Sequence, residues 1–279
     1  MDIEQLKKIL KAYHLSPNFT YGQNFLIDDF VLQDIVGASG VTSADAVLEI
    51  GPGIGNLTRL LCERAGFVLS IEKDDKFFPI LHGIKKDYKK NFRFEIADAL
   101  EYNFQSFFQE QGFKSYKVVA NIPYYITGKI LQMLLSAKFK PTSVTVLTQK
   151  EVAQNLVARP GDLGLLAISV QLYGEPKIVQ TVLAKSFYPA PKVDSAVVKI
   201  DLFKKPKYDI GDEKKFFKIL KACFTGKRKQ IHNTLVNNLK LEKAQVLKIL
   251  AEIKIAPSSR PQELSIEQWV ELSNKIQKA

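Results

Sequence analysis

A chain of 279 residues, 46% hydrophobic and 25% charged, has the composition of an ordinary globular protein and length for one large domain and a small one. Its net charge of +11 is uneven: residues 204–279 hold 17 Lys and Arg against 8 Asp and Glu, a balance of +9, while the first 203 residues hold 23 against 21. That asymmetry points the C-terminal part at a polyanion, or else at solvent as a basic surface. The two cysteines, Cys62 and Cys223, have no metal or redox spacing, which implies a reduced, cytoplasmic setting. No apolar run approaches the roughly 18 residues that would cross a bilayer.

Asp2 and Glu4 before Leu6, Ile9, Leu10 and Tyr13 read as a short amphipathic helix rather than a secretory signal. A loop from Ser16 to Thr20 leads to Tyr21-Gly22-Gln23-Asn24-Phe25-Leu26. There Gly22 permits an unusual backbone turn that can present Asn24 to a ligand. The alternative is a plain connecting loop, with Asp28 capping a helix through Val36.

Ala46 to Ile50 is a strand buried on both faces, running into Gly51-Pro52-Gly53-Ile54-Gly55 and a helix from Leu57 to Arg64. Such a strand, glycine turn and helix let the main chain approach a nucleotide-type ligand closely. With Asn56 where a dinucleotide fingerprint has its third glycine, no pyrophosphate is required. The Glu49 lead-in suits S-adenosylmethionine better. The next strand, Phe67 to Ile71, ends in Glu72, where a carboxylate can accept from both hydroxyls of a ribose. A third, Phe92 to Ala97, ends in Asp98-Ala99, and Asp98 can accept from an adenine amine. Either acid can instead cap the turn that follows.

Val118 to Ala120 is a short buried strand. Pro123 cannot donate to a sheet ladder and pushes Ile122 out of helical space, so the chain turns at Asn121-Ile122-Pro123-Tyr124. An Asn and an aromatic ring then stand at the carboxyl end of a strand, where open α/β sheets bind ligands. The Asn121 side-chain oxygen and the freed Ile122 carbonyl can accept both hydrogens of an exocyclic amine, with Tyr124 stacked on the attached base. The alternative is a turn with a buried tyrosine.

A helix from Lys129 to Ser136, a strand from Ser143 to Thr148 and a helix through Ala158 follow. Gly161 to Gly164 is a polar loop expected beside the active-site mouth. Lys177 to Leu183 and Val193 to Asp201 form an antiparallel pair, with Ser186 to Pro191 between them; Phe187 is either a core residue or a second aromatic wall for a base. Lys204-Lys205-Pro206-Lys207 is the linker. Beyond it, Phe216, Phe217, Leu220 and Phe224 have helical spacing, and Lys227-Arg228-Lys229 opens a helix ending near Leu239. Leu241 to Ile253 and Ser265 to Ile276 are two more, separated by Pro257 and Pro261. His14, His82 and His232 lie far apart, so no metal site is expected.

Together these residues resemble the ribosomal RNA adenine dimethyltransferase family. The resemblance runs from Tyr21 almost to the C-terminus. It is carried by Gly22 to Leu26, Glu49-Ile50-Gly51-Pro52-Gly53, Asn121 to Tyr124, Gln149-Lys150-Glu151-Val152, Pro191 to Val198, and Phe224 through Arg228-Lys229 to Asn233. It implies an α/β fold: a Rossmann-like, class I S-adenosylmethionine-dependent methyltransferase sheet as the catalytic domain over 1–203, and a small all-helical, RNA-binding domain over 204–279. Asn24, Leu26, Gly51, Glu72, Asp98 and Asn121 stand where the family contacts S-adenosylmethionine; Gly53 and Ala99 complete the expected cofactor-binding set. Asn121, Ile122, Pro123 and Tyr124 form the catalytic segment, with Phe187 as the second ring that flanks the target adenine. Lys227, Arg228 and Lys229 are the expected RNA contacts. The helical C-terminal part resembles the small-subunit (bacterial 16S) branch. That branch dimethylates two adjacent adenosines in a hairpin near the rRNA 3′ end, so the expected partner is rRNA in the immature 30S particle, met by a monomer. Many members carry basic residues just before the Gly-Gln-Asn-Phe-Leu run, whereas Pro17 to Tyr21 has none. A 23S rRNA methyltransferase of the antibiotic-resistance kind would use the same pocket. A non-catalytic nucleic-acid-binding factor is the alternative of another class, and the intact Asn121 segment with Glu72 and Asp98 argues against it.

Overall fold

The computed structural model describes residues 1–18, 22–226 and 229–278. In chain order the first elements are α1 (Ile3–Ala12), β1 (Phe25–Leu26), α2 (Asp29–Ser39), β2 (Ala46–Ile50), α3 (Asn56–Arg64), β3 (Phe67–Glu72), α4 (Phe78–Asp87) and β4 (Phe92–Ile96). Then come α5 (Phe104–Glu110), β5 (Lys117–Asn121), α6 (Thr127–Ser136), β6 (Ser143–Gln149), α7 (Lys150–Leu156), α8 (Leu165–Gln171), β7 (Gly174–Val182), β8 (Phe187–Tyr188) and β9 (Ser195–Leu202). The chain ends with α9 (Glu213–Phe224), α10 (Ile231–Leu239), α11 (Lys243–Glu252) and α12 (Ile266–Lys278). It divides into two compact units, one of Met1–Ala153 with Glu175–Leu202 and one of Gln154–Gly174 with the chain from Phe203 onward.

The first unit is built on a seven-stranded sheet in the order β4-β3-β2-β5-β6-β9-β7. β2, β3, β4, β5 and β6 run parallel, and β9 lies antiparallel to β6. All five residues of β2 are buried, as befits a central parallel strand covered on both faces. The order of connection reverses between β2 and β5, which opens a crevice at their carboxyl ends. Local chemistry marks the helix starts. Asp2 and Gln5 cap α1 reciprocally, and Asp28 accepts from Val31 N–H at the head of α2, the expected cap. A separate two-residue ladder pairs β1 with β8, setting Leu26 opposite Phe187. The helices α4 and α5 fill stretches that carry no sequence expectation. The first is amphipathic through Ile80, Leu81 and Ile84; the second feeds Phe104 and Phe108 to an aromatic cluster in which Phe108 stacks on Tyr116 at 4.8 Å.

The second unit is helical, and its core joins Phe216, Leu220, Ile231, Leu235, Leu250 and a fully buried Trp269. Each such side chain contributes about 1.5–3 kcal/mol by leaving water. The helices expected over Leu241–Ile253 and Ser265–Ile276 are α11 and α12, with ends moved by one or two residues. The expected domain division after residue 203 lies one residue from the observed one, but a single cut does not describe the chain. Residues 154–174 belong to the helical unit, because α8 buries Ala167 and Ile168 against that core. Gly161 to Gly164, expected beside the active-site mouth, is part of this unit: Gly161 N–H donates to the Gln262 carbonyl at 2.9 Å, and the Gln262 amide donates back to the Gly161 carbonyl.

Candidate active site

The carboxyl ends of β2, β3, β4 and β5 enclose a cavity with the Gly22–Leu26 loop as a further wall. Every residue of the expected cofactor set lines it: Asn24, Leu26, Gly51, Gly53, Glu72, Asp98, Ala99 and Asn121. So do Ile122, Pro123 and Tyr124.

The glycine turn brings its main chain to this cavity because three of its residues adopt left-handed backbone: Gly51, Gly53 and Gly55 have φ of 71°, 54° and 81°. Gly51 N–H donates to the Ile71 carbonyl at 2.9 Å, tying the turn to β3. Gly53 N–H donates to Glu72 Oε2 at 3.0 Å, and Asp74 N–H to Glu72 Oε1 at 2.9 Å. Lys73 N–H adds a third main-chain donor, and the carboxylate so held at the cavity wall still has acceptor capacity for a ligand hydroxyl. Burial pushes this carboxyl above its ordinary pKa, and the main-chain N–H groups pull it back toward the ionised form. At the next strand end, Asp98 accepts from Lys73 at 2.8 Å and from Leu100 N–H at 2.9 Å, which holds its carboxyl below the usual range.

Glu49 lies deeper, 1% exposed in the middle of the sheet. Thr58 and Ser70 hydroxyls both donate to its Oε2, at 2.7 and 2.6 Å, while Oε1 has no partner among the described residues. Burial pushes the carboxyl up to about 7 against those two hydrogen bonds. A buried oxygen left bare at a cavity wall is an acceptor that a bound ligand can satisfy.

Opposite the glycine turn, β5 delivers Asn121. Its Nδ2 donates to the Asn24 carbonyl at a long 3.4 Å, which leaves Oδ1 with no donor among the described residues. The Ile122 carbonyl is equally unclaimed, since the turn hydrogen bond runs from Ile126 N–H to the Pro123 carbonyl. Two acceptors on consecutive residues are thus left open, and the glycine turn lies close by: a Cβ on Gly51 would lie 3.7 Å from the main-chain carbonyl of Asn121. Tyr124 is half-buried, with its hydroxyl 2.6 Å from the Ser195 hydroxyl, and burial raises its pKa. Ser195 reaches it because β9 sets that residue opposite Gln149 at the end of β6. Asp194 fixes the neighbouring loop, accepting from Lys150 N–H at its carbonyl and from Ala184 N–H at its side chain.

Phe187 departs from its expected place as a second wall. It is 2% exposed, lies across from Leu26 in the β1/β8 ladder, and packs in the apolar core with Phe25 and Leu26 rather than lining the cavity. Strand alternation turns Phe187 inward and Tyr188 outward. Lys229 is exposed just before α10; the helix expected to open at Lys227 starts at Ile231. Lys227 and Arg228, like Tyr21, lie outside the described residues. No group of His, Cys, Asp and Glu that could hold a metal occurs among the described residues, and no helix there is long and apolar enough to cross a membrane. Sequence reasoning missed Phe77, whose ring meets Phe25 edge-on at 6.0 Å on the cavity wall. It also missed the task of Asn56, whose amide donates to the Leu26 carbonyl at 3.1 Å. The break in glycine spacing at Asn56 was the available signal for the second.

The family model described as "Ribosomal RNA adenine dimethylase" matches residues 15–278. A protein named Ribosomal RNA small subunit methyltransferase A from Dehalococcoides mccartyi (strain CBDB1) is 41% identical over 268 residues, covering 96% of this chain and 91% of its own. One of the same name from Clostridium botulinum (strain Okra / Type B1) is 40% identical over 272 residues, with 97% and 98% covered. Among solved structures, a dimethyladenosine transferase from Plasmodium falciparum superposes with a TM-score of 0.78 at 25% identity, over 91% of this chain and 98% of that one. The 23S rRNA methyltransferase ErmE superposes with a TM-score of 0.69 at 27% identity, over 91% and 100%. The chain belongs to the ribosomal RNA adenine dimethylase family and is an rRNA adenine dimethyltransferase.

Proposed function

We propose that the protein transfers methyl groups from S-adenosylmethionine to N6 of two adjacent adenosines in the 3′-terminal hairpin of 16S rRNA, acting as a monomer on the immature small subunit. The observation that carries this reading is the pair of open acceptors, Asn121 Oδ1 and the Ile122 carbonyl, beside the glycine turn.

The cavity residues suit the cofactor. The main chain at Gly51 and Gly53 leaves room for close approach, Glu72 is a carboxylate held at the cavity wall by main-chain N–H groups and facing a ribose diol, and Asp98 is an ionised acceptor for an adenine amine. When bound, S-adenosylmethionine supplies an electrophilic methyl group on a sulfonium. The remaining work falls to the protein. An adenine amine is a poor nucleophile because its lone pair is delocalised into the ring. Asn121 Oδ1 and the Ile122 carbonyl accept its two hydrogens, which favours a pyramidal nitrogen with the lone pair aimed across the cavity. Catalysis is then alignment and electrostatic complementarity. Tyr124 offers a ring to the swung-out base, offsetting the few kcal/mol that unstacking costs. Phe187 supports Leu26 from behind. No strong base is required, because methylation makes the amine acidic enough to lose its proton to water.

The helical unit carries the basic excess and would hold phosphates through residues such as Lys227, Arg228 and Lys229, so binding weakens as salt rises. The test is incubation with labelled cofactor and unmethylated 30S particles, followed by mapping of the modified nucleotides. Label at two adjacent adenosines of the 3′ hairpin is expected. Label only in free 23S rRNA would overturn the substrate.

A further inference from the structure

The turn that follows Pro123 carries two consecutive tyrosines with different surroundings. Tyr124 is half-buried and tied to Ser195. Tyr125 lines the same cavity yet is 59% exposed, and its hydroxyl bonds to nothing among the described residues. One edge of its ring rests against Gly22: a Cβ placed on Gly22 would stand 3.6 Å from both Cδ1 and Cε1. The ring is therefore braced on one side and open on the other. Single exposed aromatic residues are common on protein surfaces. This one stands at the lip of the cavity, next in sequence to the residue that receives the target base.

Resting on the adenine-dimethylation reading above, the substrate supplies the ligand. Swinging one adenosine into the cavity strips its strand neighbours of a stacking partner, and one of those neighbours is the second adenosine to be methylated. We propose that Tyr125 is a nucleobase-stacking subsite that takes the base flanking the target. An aromatic ring at the lip replaces the lost stack, holds the strand beside the cavity and keeps the next adenosine within reach for its own turn. Stacking on a π-face tolerates any base, so the subsite demands a base but not a particular one.

The test crosses protein and RNA changes. Small subunits are reconstituted with a ligated synthetic hairpin strand bearing either a normal nucleotide or an abasic one beside the target, on each flank in turn. Tyr125→Leu is expected to raise KM for the normal substrate about tenfold, the scale of one lost base–aromatic stack. On the substrate abasic at the stacked flank, wild type should show the same rise, and Tyr125→Leu should add nothing to it. Tyr125→Phe should restore the wild-type KM, a rescue that a general loss of folding would not give. Independent, multiplying losses on both flanks, or a normal KM for Tyr125→Leu, would overturn the subsite while leaving dimethylation intact. Absence of methyl transfer by wild type on the normal particle would overturn both.

Discussion

On the glycine-turn side of the cavity, Glu49 Oε1 apart, the polar groups have already found partners within the fold: Gly51 with Ile71, Gly53 and Asp74 with Glu72, Asp98 with Lys73 and Leu100. On the β5 side, Asn121 makes one long bond, its side-chain oxygen and the next carbonyl make none, and a tyrosine ring stands open at the lip. The difference assigns the two walls different work. Groups bonded in advance cost little to order when a small ligand arrives. On the proposed reading, groups left open await a substrate whose geometry completes them, so their interactions are available to the reacting state.

The sharpest way to break that division is Asn121→Ala. Methyl transfer should fall by about 10³-fold, comparable to loss of a main electrostatic contact in an active site, while calorimetry should find cofactor affinity little changed. Near-normal turnover would reject the assignment of the open wall. Glu49→Gln probes the other wall through stability. The folded-state pKa of Glu49, about 7, lies above its ordinary 4.5. The neutral carboxyl therefore contributes its full stability below pH about 4.5, and that contribution is lost as pH rises through about 7. Urea unfolding of the wild-type protein should accordingly lose about 3 kcal/mol across this window relative to Glu49→Gln, which does not titrate. Parallel pH profiles would show that the buried carboxyl is already ionised.

Gly55→Ala sharpens the same wall. The residue has φ of 81°, and an added Cβ would overlap Ile84 Cδ1 on α4. A loss of about 1–2 kcal/mol from left-handed backbone alone is expected in thermal unfolding; an unchanged Tm would mean that the turn relaxes. Tyr124→Phe tests the join between the walls. Losing the Ser195 hydrogen bond should cost about 1 kcal/mol of stability with methyl transfer nearly intact, whereas Tyr124→Ala should slow transfer and raise the RNA requirement. Equal losses from the two would remove stacking as the ring's main contribution.

Much of this cavity is legible from the residues in order. Strand-ending motifs announce Gly51, Glu72 and Asn121 because each sits where a buried apolar run stops, and Asp98 because it follows the alternating strand β4; a parallel sheet gathers all these strand ends on one edge. Pairings across long separations are not legible. Ser195 meets Tyr124 only through the β6/β9 register, and Lys73 meets Asp98 only because β3 and β4 are neighbours. Phe187 illustrates the limit. Its motif brings it close to the site, but whether the ring faces ligand or core depends on a two-residue ladder with Leu26 that no local pattern encodes. The membership of α8 in the helical unit is hidden for a related reason: its partners lie some 50 residues later in α9.

That last arrangement bears on how the protein is made. A ribosome releases α8 well before α9 exists to pack on it, so Ala167 and Ile168 lack their partners until the later helices of that unit have emerged. A nascent chain stalled after Leu202 would have its central sheet complete and one greasy helix without a home.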